Sequence, residues 1–171
     1  KLITAYDQPT LGAVYKLVAI EDEDGQLVDT IKISNNVGKM STPGKKQVWR
    51  VNDRADRKSE GDYITLVDED PRNEKSLNMF NPNFPLQQKD VEDFTARPML
   101  KPIWQDGKYV YNEPTLEESR QHRFDSLNAL WDEYKRDLNP EVYPVDLSQK
   151  CYDNKLKLIH QVHEYVKSLN K

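Results

Sequence analysis

β-Branched and aromatic residues gather first in residues 14–20 and again in 27–33, on either side of an acidic tract that ends in Asp24-Gly25. This spacing predicts a β-hairpin whose turn needs positive φ, which Asp-Gly supplies. Residues 47–51 and 63–67 predict a second pair of strands, joined through the polar loop at Glu60-Gly61-Asp62. Over 70–102 the pattern gives way to Asn, Gln, acids and prolines at 71, 82, 85, 98 and 102. Prolines at that density stop any helix, so this stretch reads as a connector wrapping the surface. A short hairpin is expected at 99–104 and 108–111, around Asp106-Gly107. Thr115-Leu116-Glu117-Glu118 has the form of a capping box and starts a helix. Its apolar positions are Leu116, Leu127, Leu130, Trp131, Tyr134 and Leu138, with Asn139-Pro140 as the stop. Ser148 is placed to cap a second helix carrying Cys151, Leu158, Ile159, Val162, Val166 and Leu169 on one face.

The order of elements gives an α+β fold: an antiparallel β region over 1–69, a Pro/Asn-rich connector with a short hairpin over 70–114, and a C-terminal helical pair over 115–171. Of the 171 residues, 36% are apolar and 32% charged, and the mean hydropathy is −0.90. A thin core and exposed apolar surface follow, and with them a tendency to self-associate. No apolar run is long enough to cross a bilayer, and the N-terminus has no signal-peptide pattern. The chain starts without Met in residues that read as part of an element, so it is expected to be a piece of something longer. A single cysteine excludes an internal disulfide framework and points to a reducing, cytoplasmic compartment, with Cys151 as a small apolar helix residue.

Charge changes the picture. The net charge is −4, yet between Lys32 and Lys58 eight bases face only Asp53 and Asp56. Such an island attracts phosphates, although a solvated loop has the same composition. Within it Gly38-Lys39-Met40-Ser41-Thr42-Pro43-Gly44-Lys45-Lys46 is no Walker loop, because five residues separate the glycines and a Lys follows Lys45. What remains is Gly44 for close backbone approach, Pro43 for stiffness and two adjacent ammonium groups for an anion. Lys39 reads as a solvated surface charge. The other chemistries fail on their own terms. The tract Asp22-Glu23-Asp24-Gly25 lacks the later ligands of a calcium loop. His160 and His163 have no partner set beyond Glu164, and His122 lies apart from them. Ser148 has no nucleophile elbow around it. Neither a catalytic residue nor a metal site is assigned. Nucleic acid is disfavoured by the acidic balance and by the lack of an aromatic-rich basic stripe.

Read together, Leu2-Ile3-Thr4-Ala5-Tyr6-Asp7-Gln8-Pro9-Thr10-Leu11-Gly12-Ala13-Val14-Tyr15-Lys16-Leu17-Val18 and Thr42-Pro43-Gly44-Lys45-Lys46-Gln47-Val48-Trp49-Arg50 resemble the C-terminal part of the nicotinate phosphoribosyltransferase family. The resemblance continues through Leu130-Trp131-Asp132-Glu133-Tyr134-Lys135 and Asn139-Pro140-Glu141-Val142-Tyr143-Pro144-Val145-Asp146-Leu147-Ser148. It covers essentially the whole chain but only the last third or so of the family's protein. It implies a partial domain of a larger α/β-barrel enzyme that joins nicotinate to phosphoribosyl pyrophosphate, with ATP and Mg2+ serving the complete protein and a homodimer as its assembly. The family's catalytic His, base-binding residues and Gly-rich phosphate loop match nothing in this sequence. The isolated chain is therefore expected to be inactive, to hold no cofactor stably and to pair with the missing N-terminal part. By similarity to the related nicotinamide phosphoribosyltransferases, Lys16, Lys32 and the pair Lys45 and Lys46 face substrate phosphates, as does Arg50 on the strand that follows. A pyrophosphate leaving group calls for such compact cations. A stand-alone anion-binding or protein-interaction module without catalysis is the competing reading.

Overall fold

The computed structural model describes residues 14–36 and 39–169. The opening residues read above as part of an element, the Leu2-to-Ala13 portion of the resemblance, and Gly38 lie outside that description. The first hairpin forms, although each strand keeps only three residues: β1 (Ala19–Glu21) pairs with β2 (Leu27–Asp29), and Gly25 adopts φ +74°. Ten strands and two α-helices follow the order of the chain among the described residues.

The centre of the molecule is a six-stranded sheet built from β3 (Lys46–Asp53), β4 (Ser59–Leu66), β5 (Ser76–Asn81), β6 (Phe84–Glu92), β7 (Phe94–Pro98) and β10 (Val145–Leu147). Its spatial order is β6-β5-β10-β4-β3-β7, and only the β10–β4 pairing is parallel. The expected pair β3–β4 is present, with Val48 opposite Ile64 and Trp49 opposite Tyr63. The stretch 70–102 is not a bare connector: it supplies three strands of the sheet. Its prolines do exclude helix, but β6 and β7 are the two sheet edges, where a residue without an N–H costs no ladder bond. Pro85 lies in β6 and Pro98 ends β7.

Alternation along the strands divides the core in two. Trp49, Val51, Tyr63, Leu77, Met79, Val91 and Phe94 pack on one face, where the Trp49 indole N–H donates to Thr65 Oγ1 at 3.0 Å. On the other, Phe80, Leu147 and Cys151 pack with Ile64, Leu66 and Tyr152. Cys151 belongs to α2 (Gln149–Leu169), and the Ser148 hydroxyl oxygen accepts from its backbone N–H at 3.1 Å, the cap expected from sequence. Burial pushes the Cys151 thiol up to about 11. Iodoacetamide at pH 8 should therefore label the folded chain more than about a hundredfold slower than the unfolded one, since only the thiolate reacts. Mass spectrometry of timed aliquots checks this, and comparable rates would mean that α2 does not stay docked.

The hairpin around Asp106-Gly107 forms as β8 (Trp104–Gln105) and β9 (Lys108–Tyr109), with both turn residues at positive φ. The capping box at Thr115 and Glu118 is complete, but α1 (Leu116–Asn128) ends ten residues short of the expected stop and buries no side chain. Leu116 is 79% exposed, and Leu130, Trp131 and Tyr134 lie beyond the helix, the last in a short 3₁₀ turn. The helix is anchored at its end instead. The Lys58 ammonium donates to the carbonyls of Asn128 and Leu130, where the helix dipole favours a cation. Among the described residues no helix is long and apolar enough to cross a membrane.

Candidate functional site

The basic island does not act as one surface, because half of its members are committed within the fold. Arg50 forms a bidentate pair with Asp62 at 2.9 and 3.1 Å, and the Tyr143 hydroxyl joins the same carboxylate. Arg54 pairs with Asp93 and donates to the Phe94 carbonyl, and Lys58 holds the end of α1. Lys46 is turned inward: its ammonium donates to the carbonyls of Thr42 and Gly44 at 2.7 and 2.5 Å, and burial lowers its pKa. Lys45 is exposed.

Gly44 also serves the interior. It has φ +90°, its N–H donates to the Val18 carbonyl, and a Cβ there would meet Leu66 and Asp29 at 2.9 and 3.0 Å. The close approach that needs a glycine is therefore made by the chain to itself, not by backbone to a ligand.

Three lysines are brought together elsewhere. A cavity of about 720 Å³ opens beside the first hairpin, with Lys16, Lys32 and Lys39 on its walls and Tyr15, Ile31 and Thr30 between them. The Lys16 ammonium donates to the Lys39 carbonyl at 3.2 Å, so one cationic side chain spans the two loops. The Lys32 backbone N–H donates to Ser41 Oγ at 2.9 Å and the Ser41 N–H returns to the Lys32 carbonyl, which holds the Lys32 segment against the 39–44 loop. Among the described residues no carboxylate lines this cavity. The nearest acid in sequence, Asp29, accepts from the Asn154 side chain on α2 at 2.7 Å and lies beside Lys46. Thr30 Oγ1 is buried with no hydrogen-bond partner among the described residues.

Beneath the same region lies a cation that sequence reasoning passed over. Lys155 of α2 is only 7% exposed. Burial lowers its pKa first, and the charge of Lys16 adds to that. Of the residues expected from sequence, the fold thus joins Lys16 and Lys32, sets Lys46 and Arg50 into its frame, and adds Lys39. Lys39 is separated from Lys16 by more than twenty residues, and no local pattern distinguishes it from a solvated charge. The lysines are no ligand set for magnesium, and no cluster of three or more His, Cys, Asp or Glu side chains suited to a metal occurs among the described residues.

Residues 45–155 match the family model described as nicotinate phosphoribosyltransferase C-terminal domain. A nicotinate phosphoribosyltransferase of Bacillus subtilis (strain 168) is 51% identical over 162 residues, covering 95% of this chain and 33% of that protein. The Caenorhabditis elegans protein of the same name is 31% identical over 153 residues, covering 88% of this chain and 26% of its own length. The crystal structure of human nicotinic acid phosphoribosyltransferase superposes with a TM-score of 0.59 at 24% identity, over 71% of this chain and 23% of that one, a likeness of fold. The chain thus spans about a third of the length of the Bacillus relative and less of the others.

Proposed function

The chain belongs to the nicotinate phosphoribosyltransferase C-terminal domain family, and from that premise we propose that it is the phosphate-gripping C-terminal part of an enzyme that makes nicotinate mononucleotide from nicotinate and phosphoribosyl pyrophosphate. The observation that carries this reading is the cavity walled by Lys16, Lys32 and Lys39, which no carboxylate lines among the described residues. As pyrophosphate departs from the ribose carbon, negative charge builds on its oxygens, and fixed ammonium groups stabilise that charge without reorganising. The Lys16 ammonium donates to the Lys39 carbonyl and the Lys32 backbone to Ser41, which brings the three lysines to one wall. Lys46 and Arg50 keep the loop and the strand behind this wall in shape, and Lys45 stands outside it.

ATP coupling, Mg2+, a homodimer and a cytoplasmic location belong to the same proposal for the complete protein. When bound, magnesium would neutralise pyrophosphate oxygens, and among the described residues the lysine cavity offers no carboxylate to hold it. The competing reading, a stand-alone anion-binding module, shares the cavity but predicts no requirement for it in turnover.

The test is product formation. The full-length protein should convert nicotinate and phosphoribosyl pyrophosphate to nicotinate mononucleotide by liquid chromatography, while the 171 residues by themselves should give no product above a buffer blank, with or without ATP. Turnover by the isolated chain would mean that its own residues hold the reacting centre, and an inactive full-length protein would remove the proposal altogether.

A further inference from the structure

Although α1 buries no side chain, its end is tied to the sheet. The Ser59 N–H donates to the Ala129 carbonyl at 2.7 Å, and the Lys58 ammonium takes the carbonyls on either side of it. Between the helix and strands β3 and β7 this leaves a cavity of about 370 Å³. The sheet register sets its charged wall: Asp62, Arg50 and Arg97 are direct neighbours across β4, β3 and β7. Like charges placed directly opposite one another repel, and the fold neutralises only one of these two arginines. Asp62 takes Arg50 through both oxygens, at 2.9 and 3.1 Å. The exposed Arg97 guanidinium has no hydrogen-bond or ion-pair partner among the described residues.

Further donors reach the cavity from elements that are anchored separately. Lys101 follows β7, and the residue before it is bracketed by the Gln47 amide, whose Oε1 accepts from the Leu100 N–H at 3.0 Å while its Nε2 donates to the Leu100 carbonyl at 3.5 Å. His122 and Ser126 stand one turn apart on the same face of α1. The side chains of Lys101, His122 and Ser126 also lack partners among the described residues. Asp125 is the one carboxylate lining this wall among the described residues, and its Oδ1 already accepts from Gln121 Nε2 at 2.8 Å. The wall thus keeps a positive balance on a chain whose net charge is −4. A guanidinium fork from a strand, an ammonium from a loop and an imidazole from a helix offer donors in three directions, which suits the three free oxygens of a phosphate better than the planar pair of a carboxylate. A phosphate fills only part of the cavity, so there is room for the small molecule that carries it.

We propose that the cavity between α1 and the β3–β7 edge binds a small phosphate monoester, with its phosphate on Arg97, Lys101 and His122. The site is separate from the lysine cavity and stands whether or not that cavity binds pyrophosphate.

The experiment follows the Arg97 Nε signal by NMR in the 171-residue chain, at constant ionic strength, during separate titrations with glycerol 3-phosphate, inorganic phosphate and acetate. The expected result is a saturable shift with an apparent Kd in the millimolar range for glycerol 3-phosphate, no tighter response to inorganic phosphate, and at least about tenfold weaker binding of acetate. The Lys101 and His122 signals should move with it and lose saturation in Arg97→Gln, whereas Asp125→Asn, which removes the competing carboxylate, should tighten binding. Lys16→Ala combined with Lys32→Ala should leave the Arg97 response unchanged, which separates this site from the lysine cavity. The wild-type signals report occupancy by themselves, so the test does not depend on any variant folding. An Arg97 signal that does not saturate, that answers acetate as strongly as glycerol 3-phosphate or inorganic phosphate more strongly, or that is lost with the lysine pair overturns the proposal.

Discussion

Replacing Lys16 and Lys32 together by alanine in the full-length enzyme should lower kcat/KM for phosphoribosyl pyrophosphate by about two to four powers of ten. Each charge-assisted contact to a phosphate contributes on the order of 1.5–3 kcal/mol, and two such contacts give that range. Nicotinate carries a single carboxylate, so its KM should change far less. Lys45→Ala is the control, because Lys45 is not among the residues lining the cavity, and a solvated ammonium that meets no phosphate contributes under about 1 kcal/mol. Lys46→Ala should behave differently again. It strips the donors from two carbonyls inside the loop, so the loss appears as a lower Tm before it appears as a weaker substrate. Steady-state kinetics with each substrate varied in turn separates these cases. Equal losses for nicotinate and phosphoribosyl pyrophosphate would show that the lysines act on the fold and not on phosphate.

The largest expected effect on stability is at Gly61. This residue has φ +141°, and a Cβ on it would lie 3.1 Å from both the Pro144 Cβ and the Pro144 carbonyl oxygen and 3.2 Å from Met79 Cε. Those atoms belong to the core and to the chain entering β10, and the Asp62 N–H donates to that same Pro144 carbonyl. Gly61→Val therefore combines backbone strain of about 1–3 kcal/mol with overpacking of about 1–3 kcal/mol. At about 2–4 °C per kcal/mol for a chain of this size, Tm should fall by roughly 4–24 °C. Gly107→Ala is the contrast: it also has positive φ, but nothing stands within 4 Å of the added methyl, so only the conformational cost of about 1 kcal/mol remains. Thermal unfolding of the two variants side by side checks the difference, and similar midpoints would mean that β10 is not packed against Gly61.

What could be read from the sequence was the chemistry that acts within a few residues. The Asp-Gly turns, the Thr115–Glu118 box, the Ser148 cap and the β3–β4 pair rest on neighbours along the chain, and all are present. The sheet's central strand is a different matter. β10 is three residues long and inserts between β4 and β5, its partners lying 83 and 67 residues away in the chain, so no local period marks it. The prolines of 70–102 exclude a long helix as expected, but the stretch is not the surface connector expected from sequence, because edge position is a property of the assembled sheet. Likewise, α1 was given apolar positions that lie past its end.

The candidate site divides along the same line. Counting charges located the island, but a count treats Lys32 and Lys46 alike. Only the fold shows that one lines a cavity with no carboxylate among the described residues while the other is consumed by Thr42 and Gly44. Arg50 is taken by Asp62 directly across the β3–β4 ladder, a pairing that requires the register to be known. Lys39 and Lys155 reach the region from a loop and a distant helix, and Thr30 stands out only because its buried hydroxyl finds no partner among the described residues.

The most direct test of the phosphate seat is titration of the 171-residue chain with pyrophosphate while the lysine side-chain signals are followed by NMR. The account predicts saturable shifts at Lys16, Lys32 and Lys39, with Lys45 unmoved, and loss of saturation in Lys16→Ala combined with Lys32→Ala. Flat signals at those three lysines up to about 10 mM pyrophosphate, the weak-binding end of the affinity scale, would contradict it.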